Sequence, residues 1–395
     1  MNDEEKSGHN ETETARRAED SNVSPHSIAA SRRRRINAST HRHISASSQR
    51  RAASILRSSS LFLLIAFTLA VACVYAQVSP TAEGRQDEDE DEVVRVTTSE
   101  VLLPVTVRDA GGRLVSTLKR EDFRVWEDGR EQPLSDLALR QVPVDVALMV
   151  DASSSVAANL DDFRRAVEEF AVRLAPDDRV SLIKFDDRVE LLLDWTASRM
   201  QLRRALRRVT PGMFTRFNDA LYLAAREQFR AGAKRHAVVV LTDGIDSGRG
   251  HATLDTSLRA LLEAQATLYV ISNTEIERAR KQAELDTLLG ASPSALKFNQ
   301  LRIGDLRESL RVLDISERNL AELTNATGGR LYKPLSFDSL DSVYAEVADE
   351  LRHQYALYYT PLDRTRDGKF RRVRVATADR NMRPTTRLGY FAPRN

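Results

Sequence analysis

Two short apolar runs in the middle of the chain each end in polar residues. Residues 144–150 are followed by Asp151, Ser153 and Ser155, and residues 237–241 are followed by Thr-Asp-Gly. Runs of this length that are rich in Val and Leu and contain at most one polar residue, here Asp145, are typical of parallel strands that are buried on both faces. The pattern therefore predicts two interior strands of one sheet, each ending in side chains that carry oxygen atoms.

Segments with apolar residues at three- and four-residue spacing separate these runs. Strands that alternate with such amphipathic segments fold as a mostly parallel sheet with helices on both faces. We therefore predict an α/β fold with a doubly wound, mostly parallel sheet. The expected helices lie near residues 160–174, 198–208, 218–229 and 253–265, and further strands at 180–185, 189–193 and 267–271.

The pattern between residues 273 and 313 is less regular. A helix is expected at 279–289, and Gly290 to Pro293 break it. The charges and leucines that follow suggest an insertion near the polar edge of the sheet. The expected domain then closes with a separate helix at 317–327, a short strand at 330–332 and a last helix at 339–351.

Strand-like patterns flank this domain on both sides. Before it, residues 101–107 and 122–130 read as strands, and Asp128-Gly129 is a hairpin dipeptide. After it, similar runs occur at 355–359, 371–376 and 386–391. Neither set has enough strands to be stable alone. We therefore predict that residues 93–142 and the strands of residues 336–395 pair in one smaller, sandwich-like β module.

The chain before residue 93 does not have the composition of a folded domain. Residues 1–57 are polar and rich in arginine in their second half, so we expect them to be disordered. A basic segment of this kind can bind nucleic acid or serve as a nuclear-type signal. The apolar residues that follow favour instead the basic flank of a segment directed to a membrane.

Residues 58–77 are predicted to be a signal peptide or a membrane anchor, because residues 61–76 are uncharged and mostly apolar. Both alternatives place the rest of the chain outside the cytoplasm, either periplasmic or secreted. An uncleaved segment also keeps the protein at the membrane. Residues 78–92 contain six consecutive acidic residues and are expected to form a solvated linker.

Composition narrows the function only slightly. Of 395 residues, 59 are Lys or Arg and 57 are Asp or Glu, giving a formal net charge of +2. This balance favours no particular partner, and we expect no nucleic acid. The one cysteine, Cys73, lies in the apolar segment, so neither a disulfide nor a thiolate metal site is expected in the folded part.

The polar residues at the strand ends suit a metal ion. Asp151, Ser153 and Ser155 alternate, so an extended chain places their oxygens on one side. Carboxylate and hydroxyl oxygens are ligands that hard cations such as Mg²⁺ prefer. The same residue types also cap helices, and the Asp243-Gly244 pair is also typical of a turn.

Three motifs occur in order: Asp-x-Ser-x-Ser, a loop threonine, and a strand ending in Thr-Asp-Gly. This order resembles the metal-ion-dependent adhesion site of von Willebrand factor type A domains. The resemblance covers residues 143–335, and the flanking β segments resemble a secreted subgroup described from Acidobacteria. It implies five metal ligands, namely Asp151, Ser153, Ser155, Thr215 and Asp243.

The resemblance also implies a function. The ion would be Mg²⁺, or alternatively Mn²⁺ or Ca²⁺, and an Asp or Glu of a partner protein would complete its coordination. Asp219, one helical turn after Thr215, is a candidate to brace the loop. Two positions depart from the usual pattern: Val156 stands where Met is frequent and Phe214 where Gly is frequent. The second departure is expected to reshape the loop that carries Thr215.

An enzyme is not expected. The sequence has no phosphate-binding Gly-x-x-x-x-Gly-Lys loop and no Gly-x-Ser-x-Gly elbow, and its histidines show no metal-ligand spacing. A metal-independent scaffold of the cell envelope remains the main alternative to metal-dependent adhesion, followed by a metal-dependent hydrolase.

Overall fold

The computed structural model describes residues 100–139, 142–153, 159–229 and 234–394. The predicted N-terminal region, the signal or anchor segment and the acidic linker lie outside these residues, as do Cys73 and Ser155. The described residues belong to one compact unit. It begins with β1 (Val101–Arg108), a 3₁₀ turn (Arg120–Asp122), β2 (Phe123–Glu127), β3 (Arg130–Gln132) and β4 (Leu134–Leu139).

The α/β part of the chain follows. Its elements are β5 (Val144–Asp151), α1 (Leu160–Arg173), β6 (Arg179–Phe185), β7 (Val189–Thr196), α2 (Arg199–Leu206), α3 (Phe217–Leu223) with a π turn (Ala224–Gln228), β8 (Arg235–Thr242), α4 (Leu254–Glu263) and β9 (Ala266–Ser272).

A helical segment comes next, and the chain then returns to strands. The elements are α5 (Thr274–Leu289), α6 (Pro293–Phe298), α7 (Gln300–Thr327), β10 (Arg330–Tyr332), a 3₁₀ turn (Phe337–Ser339), α8 (Leu340–His353), β11 (Tyr355–Tyr359), β12 (Phe370–Thr377), β13 (Arg383–Thr385) and β14 (Gly389–Phe391).

The central sheet has the strand order β10-β9-β8-β5-β6-β7 among the described residues. Neighbouring strands are parallel except for β7, which runs antiparallel to β6. Every residue of β5, β8 and β9 is buried, because helices cover both faces of the sheet. The prediction of a doubly wound, mostly parallel sheet is confirmed.

The prediction of a separate helix at 317–327 is wrong. Helix α7 runs without a break over 28 residues, and the segment of mixed charges and leucines is its first half. This half packs Ile303 and Leu306 against Leu285 of α5, which gives the hairpin of α5 and α7 a small core of its own. The second half places Leu320 and Leu323 against the central sheet. One helix thus serves two cores, and its apolar pattern changes between them.

The terminal strands pair with each other, as the fold prediction required. Strand β1 lies antiparallel to both β11 and β13, and β12 lies antiparallel to β2. Two four-stranded sheets result, in the orders β13-β1-β11-β4 and β14-β12-β2-β3. Side chains from both sheets, among them Leu103, Val125 and Tyr359, form one apolar core. At the predicted hairpin, Asp128 and Gly129 both have positive φ.

Buried polar groups join the β module to the α/β part. Arg387 is 4% exposed and donates to the backbone oxygen of Leu102 in β1 and to the side chain of Gln265, which follows α4. Glu350 of α8 accepts from Thr106 and pairs with Arg108, both in β1.

No helix in the described ranges is both long enough and apolar enough to cross a lipid bilayer.

Candidate metal centre

The candidate site lies where the parallel strands β5 and β8 end. The two strands are neighbours in register, with Val150 opposite Leu241, so the residues after them meet at one edge of the sheet. Asp151 is the last residue of β5 and is fully buried. Its carboxylate accepts a hydrogen bond from the N–H of Ser153 at 3.0 Å and one from the hydroxyl of Thr242 at 2.7 Å.

The environment of Asp151 opposes its negative charge. Burial, together with the charge of the nearby Asp243, raises the pKa of Asp151 to about 7. The hydrogen bonds from Ser153 and Thr242 act in the opposite direction. The donors described for these two carboxylates are backbone N–H groups and a hydroxyl, which carry no net charge. Two like charges placed close together in this way favour either a shared proton or a bound cation.

Asp243 is held in place by α7. Ser316 of α7 donates its hydroxyl to the backbone oxygen of Asp243 at 2.5 Å, while the side chain of Asp243 accepts from the N–H of Ile245 at 3.0 Å. Gly244 has a φ of +69°, and a Cβ at this position would lie 2.7 Å from the side chain of Leu320. The loop after β8 is therefore fixed from one side by a helix that the sequence analysis did not connect to the site.

The loop that carries Thr215 is tied to both strand ends. The N–H of Gly212 donates to the backbone oxygen of Ala152 at 2.7 Å. On the other side, Ser247 donates to the backbone oxygen of Thr215 twice, from its N–H at 2.9 Å and from its hydroxyl at 2.7 Å. Thr215 is 8% exposed. These bonds place the loop between the segments that follow β5 and β8.

A buried ion pair packs against Gly212 of the same loop. Asp186 is 4% exposed and pairs with Lys184 at 2.5 Å. A Cβ on Gly212 would lie 2.3 Å from the carboxylate of Asp186, so only glycine fits against this pair. In von Willebrand factor type A domains a glycine is frequent at the position that Phe214 occupies here. This loop instead has a glycine two residues earlier, at residue 212.

Asp219 links α3 to the loop before α4. One of its carboxylate oxygens accepts from the N–H groups of His251 and Ala252, at 2.8 and 2.7 Å. Gly250 lies close to the same carboxylate. A Cβ added to Gly250 would lie 2.8 Å from the carboxylate of Asp219. Asp219 is thus held by backbone groups of that loop.

An exposed patch lies beside the Thr215 loop. Met213 is 76% exposed, and the guanidinium of Arg249 lies over the ring of Phe214, 3.5 Å from its centre. Within the described ranges, Arg249 forms no ion pair with an acidic side chain. The patch therefore presents apolar surface and an available cation next to the candidate site.

The structure brings together most of the residues predicted from the sequence. Asp151 ends β5, and Ser153, Thr215 and Asp243 lie in neighbouring segments that hydrogen bonds join, while Ser155 falls outside the described residues. In the described ranges, no group of three or more His, Cys, Asp or Glu side chains is arranged to hold a metal. The oxygen donors that these segments provide are the two carboxylates of Asp151 and Asp243 and the neutral hydroxyls of Ser153 and Thr215, which are ligand types that hard divalent cations take.

Sequence reasoning missed several residues around the site. Thr242 lies in the Thr-Asp-Gly motif, which was a usable signal. Gly212, Asp186, Ser247 and Ser316 are single polar or small residues far apart in the chain, and no local pattern marks them.

Comparison with known proteins agrees with the fold. The family model for the von Willebrand factor type A domain matches residues 146–245, and this part of the chain is a domain of that type. Comparison with curated proteins gave no match.

Several solved structures are similar to this chain. Proximal thread matrix protein 1 from the mussel byssus is 17% identical over 57% of this chain and 50% of that chain, with a TM-score of 0.40. A structure of the same mussel protein with a zinc-occupied metal-ion-dependent adhesion site (MIDAS) motif is 19% identical. It covers 57% of this chain and 49% of that chain, with a TM-score of 0.39. A von Willebrand factor type A structure from Catenulispora acidiphila is 12% identical over 64% and 50%, with a TM-score of 0.38. The chain spans about half the length of each of these solved chains.

Proposed function

We propose that the von Willebrand factor type A domain of this chain is a divalent-metal-dependent protein-binding module. Asp151, Ser153, Ser155, Thr215 and Asp243 would hold Mg²⁺, or alternatively Mn²⁺ or Ca²⁺, and Asp219 would brace the site. A bound ion supplies an electrophilic centre that an Asp or Glu carboxylate of the partner can occupy.

One observation carries this proposal. Asp151 is fully buried beside the charge of Asp243, and the named donors to its carboxylate, Ser153 and Thr242, are uncharged. Burying two like charges together costs free energy unless a cation or a proton offsets it. A divalent cation offsets both charges and uses the hydroxyl oxygens that lie in the adjoining loops.

The charge balance supports a carboxylate as the partner's contribution. Two carboxylates neutralise a divalent ion without exceeding its charge, so a further anionic ligand meets no net negative charge and can take a coordination position on the ion. The patch of Met213, Phe214 and Arg249 lies beside the loop of Thr215 and provides apolar and cationic contacts. We therefore expect the recognised segment to carry an acidic residue near an apolar one.

We place this activity outside the cytoplasm, either in the periplasm or in secreted form. The proposal rests on the apolar segment at residues 61–76 and the basic residues before it. If that segment is retained, it anchors the protein to the membrane.

Calorimetric titration of the full chain with Mg²⁺ and Mn²⁺ tests the metal site. We expect saturable binding to the wild type and its loss in an Asp151→Asn/Asp243→Asn variant, which keeps the shape of both side chains. A matched control, Asp255→Ala/Asp338→Ala, removes the same charge from exposed positions and should bind like the wild type. Equal binding by all three proteins would place the metal elsewhere.

A metal-independent scaffold is the alternative function. In that case a folded wild type would bind no divalent ion, and capture of a partner would be unchanged by a chelator. Loss of capture on chelation, restored by added Mg²⁺, would favour metal-dependent recognition instead. An enzyme is not proposed.

A further inference from the structure

Helix α2 and the two residues after it form a strongly basic surface. Residues 199–208 contain five arginines and no acidic residue. Leu202, Ala205 and Leu206 are buried against the α/β core, whereas all five arginines are exposed. We call the exposed side chains of residues 199–208 the basic face.

Little of this positive charge is neutralised. Arg203 pairs with Glu168 at 2.9 Å, while Arg199 and Arg208 donate to backbone oxygens of Val172 and Leu192. Among the residues that the structure describes, neither Arg204 nor Arg207 has an acidic partner. Backbone bonds fix the direction of an arginine but leave its charge intact, so four of the five positive charges are available to an anionic ligand.

Exposed apolar side chains lie within the same surface. Met200 is 62% exposed, and Val172, at the end of α1, is 52% exposed. The bond from Arg199 to the backbone oxygen of Val172, at 3.0 Å, places Val172 beside the helix that carries Met200. Apolar side chains are therefore exposed in the same region as the arginines.

We propose that the basic face docks on an anionic lipid bilayer. The arginines bind lipid phosphates, and Met200 with Val172 enters the interface between headgroups and acyl chains. Charge complementarity points to an anionic surface, and the two apolar side chains point to lipid, because single-stranded nucleic acid is bound by aromatic stacking and residues 199–208 contain no aromatic residue. The basic face contains none of the proposed metal ligands, and this proposal does not depend on metal binding.

A fluorescent label at position 200 tests the proposal in the full chain. Met200→Cys in a Cys73→Ser background carries an environment-sensitive fluorophore, and the protein is titrated with vesicles of phosphatidylglycerol or of phosphatidylcholine. We expect a blue shift with phosphatidylglycerol alone, reversed by salt. The readout is local, so tethering through the N-terminal segment does not produce it. A label at Arg380→Cys on the β module should show no shift.

Charge variants in the same labelled protein provide the second measurement. Arg204→Gln/Arg207→Gln should weaken phosphatidylglycerol binding by about 30-fold, because each basic residue near an anionic surface contributes about a fivefold factor. Arg364→Gln/Arg366→Gln removes the same charge from exposed positions of the β module and should have little effect. Neither pair forms an ion pair within the described ranges, so both variants should fold.

Three results would overturn the proposal. They are an unchanged spectrum with phosphatidylglycerol, equal losses in the two charge variants, and a shift produced by polyphosphate or double-stranded DNA but not by vesicles. The last result would assign the basic face to a soluble polyanion.

Discussion

The hydroxyl of Ser316 lies 2.5 Å from the backbone oxygen of Asp243, although 73 residues separate them in sequence. This contact joins the middle of α7 to the loop that provides the second carboxylate of the candidate site. Further along the same helix, the backbone oxygen of Ala326 accepts from the N–H of Leu388, next to the β module. Helix α7 therefore touches both the candidate metal site and the β module.

Replacing Ser316 should destabilise the loop of the metal site. Ser316→Ala leaves the backbone oxygen of Asp243 without this donor in a buried position, which costs about 1–3 kcal/mol of unfolding free energy. Mg²⁺ affinity should fall as well, because Asp243 is held less rigidly. Urea unfolding and calorimetry measure the two effects. Ser342→Ala, at an exposed position of α8, is the control, and equal behaviour of the two variants would refute a role for this bond.

Substitutions at two glycines with similar positive φ distinguish the cost of backbone strain from the cost of a steric contact. Gly244 and Gly248 have φ of +69° and +67°, but only at Gly244 would a Cβ meet another residue, Leu320 at 2.7 Å. Gly248→Ala should therefore cost about 1 kcal/mol from backbone strain alone. Gly244→Ala should cost clearly more, and its melting temperature should be the lower of the two. Similar melting temperatures would mean that Leu320 moves aside freely.

Removing the charge of Glu350 should weaken the junction between α8 and the β module. Glu350 is 3% exposed, accepts from Thr106 and Tyr332, and pairs with Arg108. Glu350→Gln leaves the largely buried Arg108 without its counter-charge, and we expect a loss of about 3 kcal/mol. Urea unfolding gives the free energy, and hydrogen exchange should show reduced protection of β1.

The control for this variant lies on the same helix. Glu346→Gln changes an exposed residue that is 3.9 Å from Arg330 and should change stability by less than about 1 kcal/mol. If Glu350→Gln were as mild as this control, the junction would not depend on the buried charge.

In mild acid, His236 should lower the free energy of unfolding, in opposition to Asp151, whose raised pKa acts in the other direction. The ring is 8% exposed, stacks on Phe229 at 4.7 Å, and bonds to the backbone oxygen of Ala264 at 2.8 Å. Burial lowers the pKa of His236 below 6.5. As pH falls below 6.5, His236 becomes protonated in the unfolded chain before it does so in the folded chain. Its contribution to the free energy of unfolding therefore decreases.

The measurement is urea unfolding at a series of pH values. His236→Phe keeps the stacking and removes the titrating group, so its free energy of unfolding should rise relative to that of the wild type as pH falls below 6.5. His251→Phe, at an exposed position, is the control and should follow the wild type. An unchanged pH slope in His236→Phe would assign the acid sensitivity to other groups.

The sequence by itself determined the architecture, because hydrophobic periodicity reports directly which side of an element is buried. The runs that end at Asp151 and Asp243 marked two interior strands, and the alternating runs at both ends marked the strands of the β module. The pairing of the two sets was predicted from the number of strands, because neither set has enough strands to be stable alone. The continuous helix α7 was missed because its two halves face different cores, and this blurs the helical period.

Only the tertiary structure decided what surrounds the candidate site. The bonds from Thr242 to Asp151, from Ser247 to Thr215 and from Ser316 to Asp243 join residues between 32 and 91 positions apart. A single serine or glycine carries no periodic signal, so its role depends on which strand or helix the fold places beside it.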